Sequence, residues 1–389
     1  MNNRWIVLIA GVVIQTILGG IYAWSTLTPW LVESYGISNA ESGFVFGLSI
    51  AVFTLVMVYS GRLLAKKGPR LPALLGAICY LLGYLIASYS HGSFFLLLLA
   101  VGIVAGSGIG FAYVVPLSVG MQWFPRHKGL VTGLAVGGFG GGAVILASIV
   151  KTARYSSLTL NQFFLVYGLI SGVLLFLASL LLFTPETAPE KDGNGPHVIA
   201  HSSKKPMLLS ILGMFCGTFA GLFLVGNLAP YALSRGLNEE SAILSVMLFS
   251  IGNLTGRIIW GHIFDKIGYR AIPWSLLLAS LFYGVLRFAL GSFVFLGSVF
   301  VLGFLFGSQF VLYAGYLSRM YGVRTFSKRY PLVFLSYGFA GIVAPGVGGW
   351  MADSSGTYNT AVVLCFSLLF VSGLILFLAN REPHVLTLY

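Results

Sequence analysis

Ser250, Asn253 and Arg257 follow one another at intervals of three and four residues inside an otherwise apolar stretch. On a helix that spacing places them on one face. Arg257 is one of only two Lys or Arg residues inside the apolar runs of the chain. The other, Arg287, is about four residues from the end of its run and can reach the polar interface along its own stem. A guanidinium far from a run end is costly in lipid and points to a function with an anion as partner. Its planar fork suits a carboxylate, which it can hold through two parallel hydrogen bonds. Arginine does not titrate in proteins, so the chemistry on offer is anion binding rather than proton transfer. All ten Asp and Glu and all six His map to loops or run ends, leaving no buried counter-ion and no histidine relay. A buried arginine can also brace helices by donating to backbone carbonyls, and either role requires the stripe to face away from lipid.

The elements that must position this stripe are membrane helices. Of 389 residues, 57% are apolar and 8% are charged, whereas a soluble domain carries about 25% charged residues. Twelve apolar runs are long enough to cross a bilayer, near 4–30, 42–64, 71–90, 93–122, 129–150, 160–183, 207–233, 240–264, 271–291, 293–318, 330–352 and 358–380. The first run is too long for a signal-peptide core and reads as a retained helix. Arg257 is eight residues before Asp265 at the end of its run, which puts it about 12 Å in, near the middle of a core roughly 30 Å thick. Cys79, Cys216 and Cys365 lie within runs and form no metal-binding spacing.

The net charge of +12 reads as topology rather than as a nucleic-acid footprint. With the N-terminus inside, seventeen of the 22 Lys and Arg fall on the cytoplasmic side and three opposite, which sets both termini in the cytoplasm. A stretch rich in Pro, Gly and charge, from Thr184 through Pro196 to Lys205, reads as a linker. It divides the chain into an N-terminal six-helix bundle (1–183), a cytoplasmic linker (184–206) and a C-terminal six-helix bundle (207–389). The halves repeat at an offset of 200 residues: Gly36 recurs as Gly236, Gly61, Lys66, Gly68 and Arg70 as Gly261, Lys266, Gly268 and Arg270, and Tyr113 as Tyr313. The glycine clusters at 133–142 and 338–349 suit close helix packing; neither follows a strand, as a nucleotide loop would.

Repeated six-helix halves are one architecture of secondary transporters, with the site near the midplane between them. The segment Gly61-Arg62-Leu-Leu-Ala-Lys66-Lys-Gly68-Pro-Arg70 resembles the loop signature of the major facilitator superfamily. Its second copy runs from Gly261 to Arg270 and keeps the acidic residue as Asp265, where the first copy has Ala65. Trp123-Phe-Pro-Arg-His-Lys-Gly129 resembles a segment of the oxalate/formate antiporter family, with Lys128 in place of an arginine, and Asn253-Leu-Thr-Gly-Arg257 is similar to that family and to the monocarboxylate transporters. The resemblance implies an all-α membrane protein of twelve transmembrane helices, two bundles related by a pseudo-two-fold axis, and gating through the two loop motifs. It implies that Arg257 binds a substrate carboxylate. Related animal transporters carry Asp where this chain has Asn253, and oxalate-type members carry a lysine that aligns with Tyr337; one cationic site suits one carboxylate.

Tyr22, Tyr113, Phe139, Tyr313, Tyr337 and Gln15 are the further candidates for the cavity wall. Tyr113 is thirteen residues from Arg126 and Tyr337 eight from Arg329, about 20 Å and 12 Å along a helix. The expectation is a carrier, not an enzyme, without cofactor or metal, in the cytoplasmic membrane of a bacterium. It acts as a monomer, has no nucleic-acid partner, and moves a small monocarboxylate such as lactate or pyruvate with a proton. Obligatory formate/oxalate exchange and a ligand sensor that does not transport are the alternatives. No Ser/His/Asp cluster supports catalysis.

Overall fold

The computed structural model describes residues 3–125, 128–154, 156, 158–185 and 205–379. Most of the linker at 184–206 and the basic residues Arg126, Lys191, Lys204 and Arg381 lie outside the described residues. Helices α1 (Asn3–Gly19), α2 (Trp24–Tyr35), α3 (Asn39–Lys67), α4 (Arg70–Ser88), α5 (Phe94–Leu97), α6 (Gly106–Trp123), α7 (Lys128–Arg154) and α8 (Leu160–Leu180) form an N-terminal set. The C-terminal set comprises α9 (Lys205–Ser234), α10 (Glu239–Ile267), α11 (Ala271–Phe288), α12 (Ser292–Ser355) and α13 (Asn359–Leu378). A 3-10 turn, Gly20–Ala23, interrupts the first crossing between α1 and α2, and a π-helical segment, Leu98–Ala105, joins α5 to α6.

Among the described residues, eleven helical segments are long and apolar enough to cross a membrane. One of them, Glu240–Phe288, contains both α10 and α11, joined through the 3-10 turn Gly268–Arg270. The long α12 is split into two such segments at Gly322, whose φ of 73° and ψ of 156° lie outside the helical range.

Of the glycines that repeat at an offset of 200, Gly61 and Gly261 lie within α3 and α10, and the other four sit where the chain turns. Gly36, Gly236, Gly68 and Gly268 all adopt positive φ, of 68°, 81°, 77° and 60°, a conformation that glycine takes at little steric cost. The helices that follow Gly36 and Gly236 start with matching caps. The Ser38 hydroxyl accepts from the Glu41 N–H while Glu41 returns a bond to the Ser38 N–H, and the Asn238 carboxamide accepts from the Ser241 N–H. Each cap satisfies donors that the first helical turn leaves open.

Helix α10, which carries the polar stripe, is pressed against α12 through glycines from both sides. A methyl at Gly252 or Gly256 would overlap the backbone at Phe300 and Phe304, and one at Gly303 or Gly307 the backbone at Phe249 and Asn253. Two small-xxx-small pairs therefore face each other and let the backbones touch. Between the sets, α7 packs on α10 and α3 on α12. Gly133 and Gly140 of α7 lie on the backbone of Arg257 and Leu254, as expected for a packing role of the glycine cluster.

This geometry predicts that Gly256→Ala and Gly307→Ala each lower the thermal-unfolding midpoint of the detergent-purified protein, because overpacking of this kind costs about 1–3 kcal/mol. Gly297→Ala, on the same helix with nothing within 4 Å of the added methyl, is expected to leave the midpoint unchanged or raise it. Equal midpoints for all three would show that the α10/α12 contact is looser than described.

Candidate functional site

Arg257 is fully buried, 0% exposed. Its Nε donates to Asn253 Oδ1 at 2.9 Å, one helical turn away, and its Nη1 donates to the carbonyl of Val136 on α7 at 3.0 Å. The glycines of α7 make the second bond possible by bringing its backbone within reach. Two rings lie against the guanidinium, Phe310 of α12 at 4.2 Å and Phe139 of α7 at 5.4 Å from the charged carbon to the ring centres. Each such contact contributes about 0.5–2 kcal/mol, more when water is excluded. Nη2 has no hydrogen-bond partner, and no described Asp or Glu makes a salt bridge with Arg257. Arg257 thus braces α7 against α10 with part of its fork and keeps one nitrogen unused.

The other candidates divide into three groups. Tyr22, in the 3-10 turn, and Tyr337, on α12, hydrogen-bond hydroxyl to hydroxyl at 2.7 Å, so one residue from each set of helices meets beside Arg257. Tyr113 of α6 packs on Phe139 with ring centres 5.2 Å apart, and its buried hydroxyl has no partner. Gln15 of α1 is one layer behind: its Nε2 donates to the Tyr113 carbonyl at 2.7 Å, and its Oε1 is unpaired. Tyr313 lies apart from this group, with its hydroxyl against Gly213 of α9 and no partner of its own. The repeat that pairs Tyr113 with Tyr313 is therefore one of sequence position, not of role in the cluster. Ser250, although on the stripe, returns its hydroxyl to the Val246 carbonyl of its own helix.

Several wall residues were not among the sequence candidates. Phe53 of α3 touches the rings of Tyr113 and Tyr337, Phe334 touches those of Tyr113 and Tyr337, and Phe306 contacts Tyr22. Tyr330 donates to the carbonyl of Phe310, the residue whose ring lies on the guanidinium. Tyr330, Phe334 and Tyr337 are spaced i, i+4, i+7, an aromatic stripe on one face that was readable once α12 was known to line the site.

A narrow crevice reaches this cluster from the side opposite the loop motifs, bounded by Tyr22, Val225, Leu228, Val246, Phe249, Ser250 and Asn253. On the loop side α3 and α12 touch: a methyl at Gly61 would overlap the Ser327 carbonyl of α12. Asp265 is 3.3 Å from Arg319, whose guanidinium lies over the Phe264 ring. Of the other motif residues, Arg70 donates to the Leu182 carbonyl at 3.2 Å, and Gly68 and Gly268 end their helices. Arg62, Lys66, Gly261, Lys266 and Arg270 lie in or beside the same turns.

The arrangement offers a desolvated cation with a free donor, neutral hydroxyls around it and aromatic walls. Its chemistry suits a small anion.

Comparison with known proteins agrees with this geometry. The chain is 26% identical over 349 residues to the MFS-type transporter YhjX of Escherichia coli, covering 88% of this chain and 86% of that one. It is 25% identical over 383 residues to the oxalate:formate antiporter of Oxalobacter formigenes (94% and 88% covered) and 24% identical over 386 residues to human monocarboxylate transporter 11 (94% and 80%). Among solved structures, the proton:xylose symporter XylE superposes with a TM-score of 0.77 at 14% identity over 97% of this chain and 95% of its own. The transporter FucP, in its outward conformation, gives 0.69 at 16% identity over 94% and 98%; these likenesses establish the fold. The family profile described as Major Facilitator Superfamily matches residues 7–282, well over half of the chain, and the protein belongs to that superfamily.

Proposed function

We propose that this member of the superfamily carries a small organic monocarboxylate of the lactate or pyruvate kind, together with a proton, by alternating access, with Arg257 as the carboxylate anchor. The observation that carries the reading is the unpaired Nη2 of a fully buried Arg257, next to the unpaired hydroxyl of Tyr113. A buried charged donor without a partner costs several kcal/mol, and a bound carboxylate removes that cost. Asn253 sets the angle of the fork, while Tyr22, Tyr113, Phe139 and Tyr337 enclose the acid. With the neutral Tyr337 where oxalate-type relatives carry a lysine, the site offers one fixed cation for one carboxylate.

The proposal includes twelve crossings, the α10–α11 segment counting as two. It also includes two bundles at 1–183 and 207–389, both termini in the cytoplasm, a place in the bacterial cytoplasmic membrane and action as a monomer. Similarity to an oxalate:formate antiporter over 94% of the chain favours obligatory exchange as the second reading.

Replacement of Arg257 by Gln or Lys is expected to reduce uptake of labelled lactate or pyruvate into proteoliposomes by at least about ten- to a hundred-fold, the value of a charge-assisted hydrogen bond; lysine lacks the planar fork. Transport left intact in both variants would remove the anchor assignment. Uptake driven by a pH gradient into vesicles without internal acid is expected for symport, and uptake seen only with unlabelled acid inside would establish exchange instead. Tyr337→Lys is expected to raise oxalate uptake relative to lactate by about ten-fold, roughly 1.4 kcal/mol in favour of the second carboxylate; an unchanged ratio would show that position 337 does not set the charge of the substrate.

A further inference from the structure

Behind the 3-10 turn that carries Tyr22, on the side away from Arg257, lies a second group of tyrosines that the carboxylate site does not use. The Tyr80 hydroxyl, on α4, is 3.3 Å from the carbonyl of Ile17, just before the turn, and 2.9 Å from the Tyr167 hydroxyl of α8. A hydroxyl carries one hydrogen: Tyr80 gives its own to Ile17 and accepts the one from Tyr167. The Tyr84 ring packs on both, with centres 4.9 Å and 4.8 Å away, and Phe163 stacks on Tyr167 at 5.8 Å. Tyr167 reaches the turn itself, because a methyl at Gly20 would stand 2.9 Å from its hydroxyl. Helix α7 contacts the same stretch: the methyl at Gly20 would also stand 3.2 Å from Leu146, and one at Gly19, the last residue of α1, would overlap the Phe139 carbonyl. The turn between α1 and α2 is thus packed against α7 and against the tyrosines of α4 and α8.

Two hydrogen bonds connect the N-terminal and C-terminal sets among the described residues, Arg257 to Val136 and Tyr22 to Tyr337. The second lies at the inner end of the crevice that Tyr22 helps to line. Where Tyr22 sits is decided by the turn, and the turn by what props it.

We infer that Tyr167 and Tyr80 are positioning residues whose joined hydroxyls prop the Gly20–Ala23 turn from behind, hold Tyr22 against Tyr337 and so close the crevice over Arg257. Opening of this side then requires the turn to move off the prop. The inference takes from the proposed function only the idea that the crevice is the way to Arg257, and its test needs no substrate.

A cysteine at Ser250, on the crevice wall and 8% exposed, reports the opening when Cys79, Cys216 and Cys365 are replaced by Ala. Its labelling rate with a hydrophilic maleimide in the purified protein is expected to rise about ten-fold on Tyr22→Phe, the effect of losing one buried hydrogen bond. Tyr167→Phe and Tyr80→Phe, which keep the rings and remove only the hydroxyls, are expected to raise it by a comparable factor. The double variant Tyr22→Phe/Tyr167→Phe is expected to label no faster than Tyr22→Phe alone, because the prop acts through Tyr22. Labelling at the parent rate in both Tyr167→Phe and Tyr80→Phe would overturn the inference, as would rates that multiply in the double variant or an unchanged rate in Tyr22→Phe. If one prop variant does not elute as a monodisperse species, the other carries the test. Failure of Arg257→Gln to reduce uptake would remove the carboxylate anchor and leave this result standing.

Discussion

A guanidinium held away from water, with part of its hydrogen-bonding capacity unused, is the constraint around which the chain is arranged. Arg257 spends two donors on Asn253 and the Val136 carbonyl and keeps Nη2 without a partner. An isolated cation in a low-dielectric interior is penalised by several kcal/mol, so the surroundings must soften that penalty without cancelling it. The Phe310 and Phe139 rings do so through their quadrupoles, which attract a cation without offering a counter-ion. A carboxylate in their place would neutralise the arginine permanently and remove its reason to bind anything else.

The same constraint explains where glycine is concentrated. For Nη1 to reach a carbonyl of α7, the backbones of α7 and α10 must nearly touch, which Gly133 and Gly140 allow. For the stripe to point between the two sets of helices, α10 must be fixed in rotation, and the facing glycines at 252, 256, 303 and 307 fix it against α12. Packing in lipid has no hydrophobic drive and depends on close van der Waals contact, so the precision of the site is set by small residues rather than by large ones.

The sequence made the burial of Arg257 and its pairing with Asn253 legible because a charge in an apolar run has few explanations. The repeat at an offset of 200 was legible for a different reason: positive φ at Gly36, Gly236, Gly68 and Gly268 restricts those positions to glycine and leaves a mark that side-chain variation cannot hide. The wall of the site was legible only in part. Tyr22, Tyr113, Phe139 and Tyr337 come together, but Phe53, Phe310 and Phe334 could not be told from the rest of 31 Phe, since every buried ring satisfies the same hydropathy pattern. Tyr313 shows the converse. It shares the depth and type of Tyr113, yet its hydroxyl lies against Gly213, because rotation about a helix axis is decided by neighbours that a single helix does not encode.

That no Asp, Glu or His stands in this wall among the described residues bears on how transport could couple to protons. The groups beside Arg257 are tyrosine hydroxyls and the uncharged Asn253 carboxamide. No described Asp or Glu pairs with the guanidinium. On the proposed reading, a bound carboxylate offsets the charge of the guanidinium, which the empty site leaves unpaired. Closing around a charge costs more than closing around a neutral pair, so occupancy by a carboxylate would favour the rearrangement of the two sets, and any proton that crosses with it would have to travel on the substrate, on water or on a weaker acid such as a tyrosine.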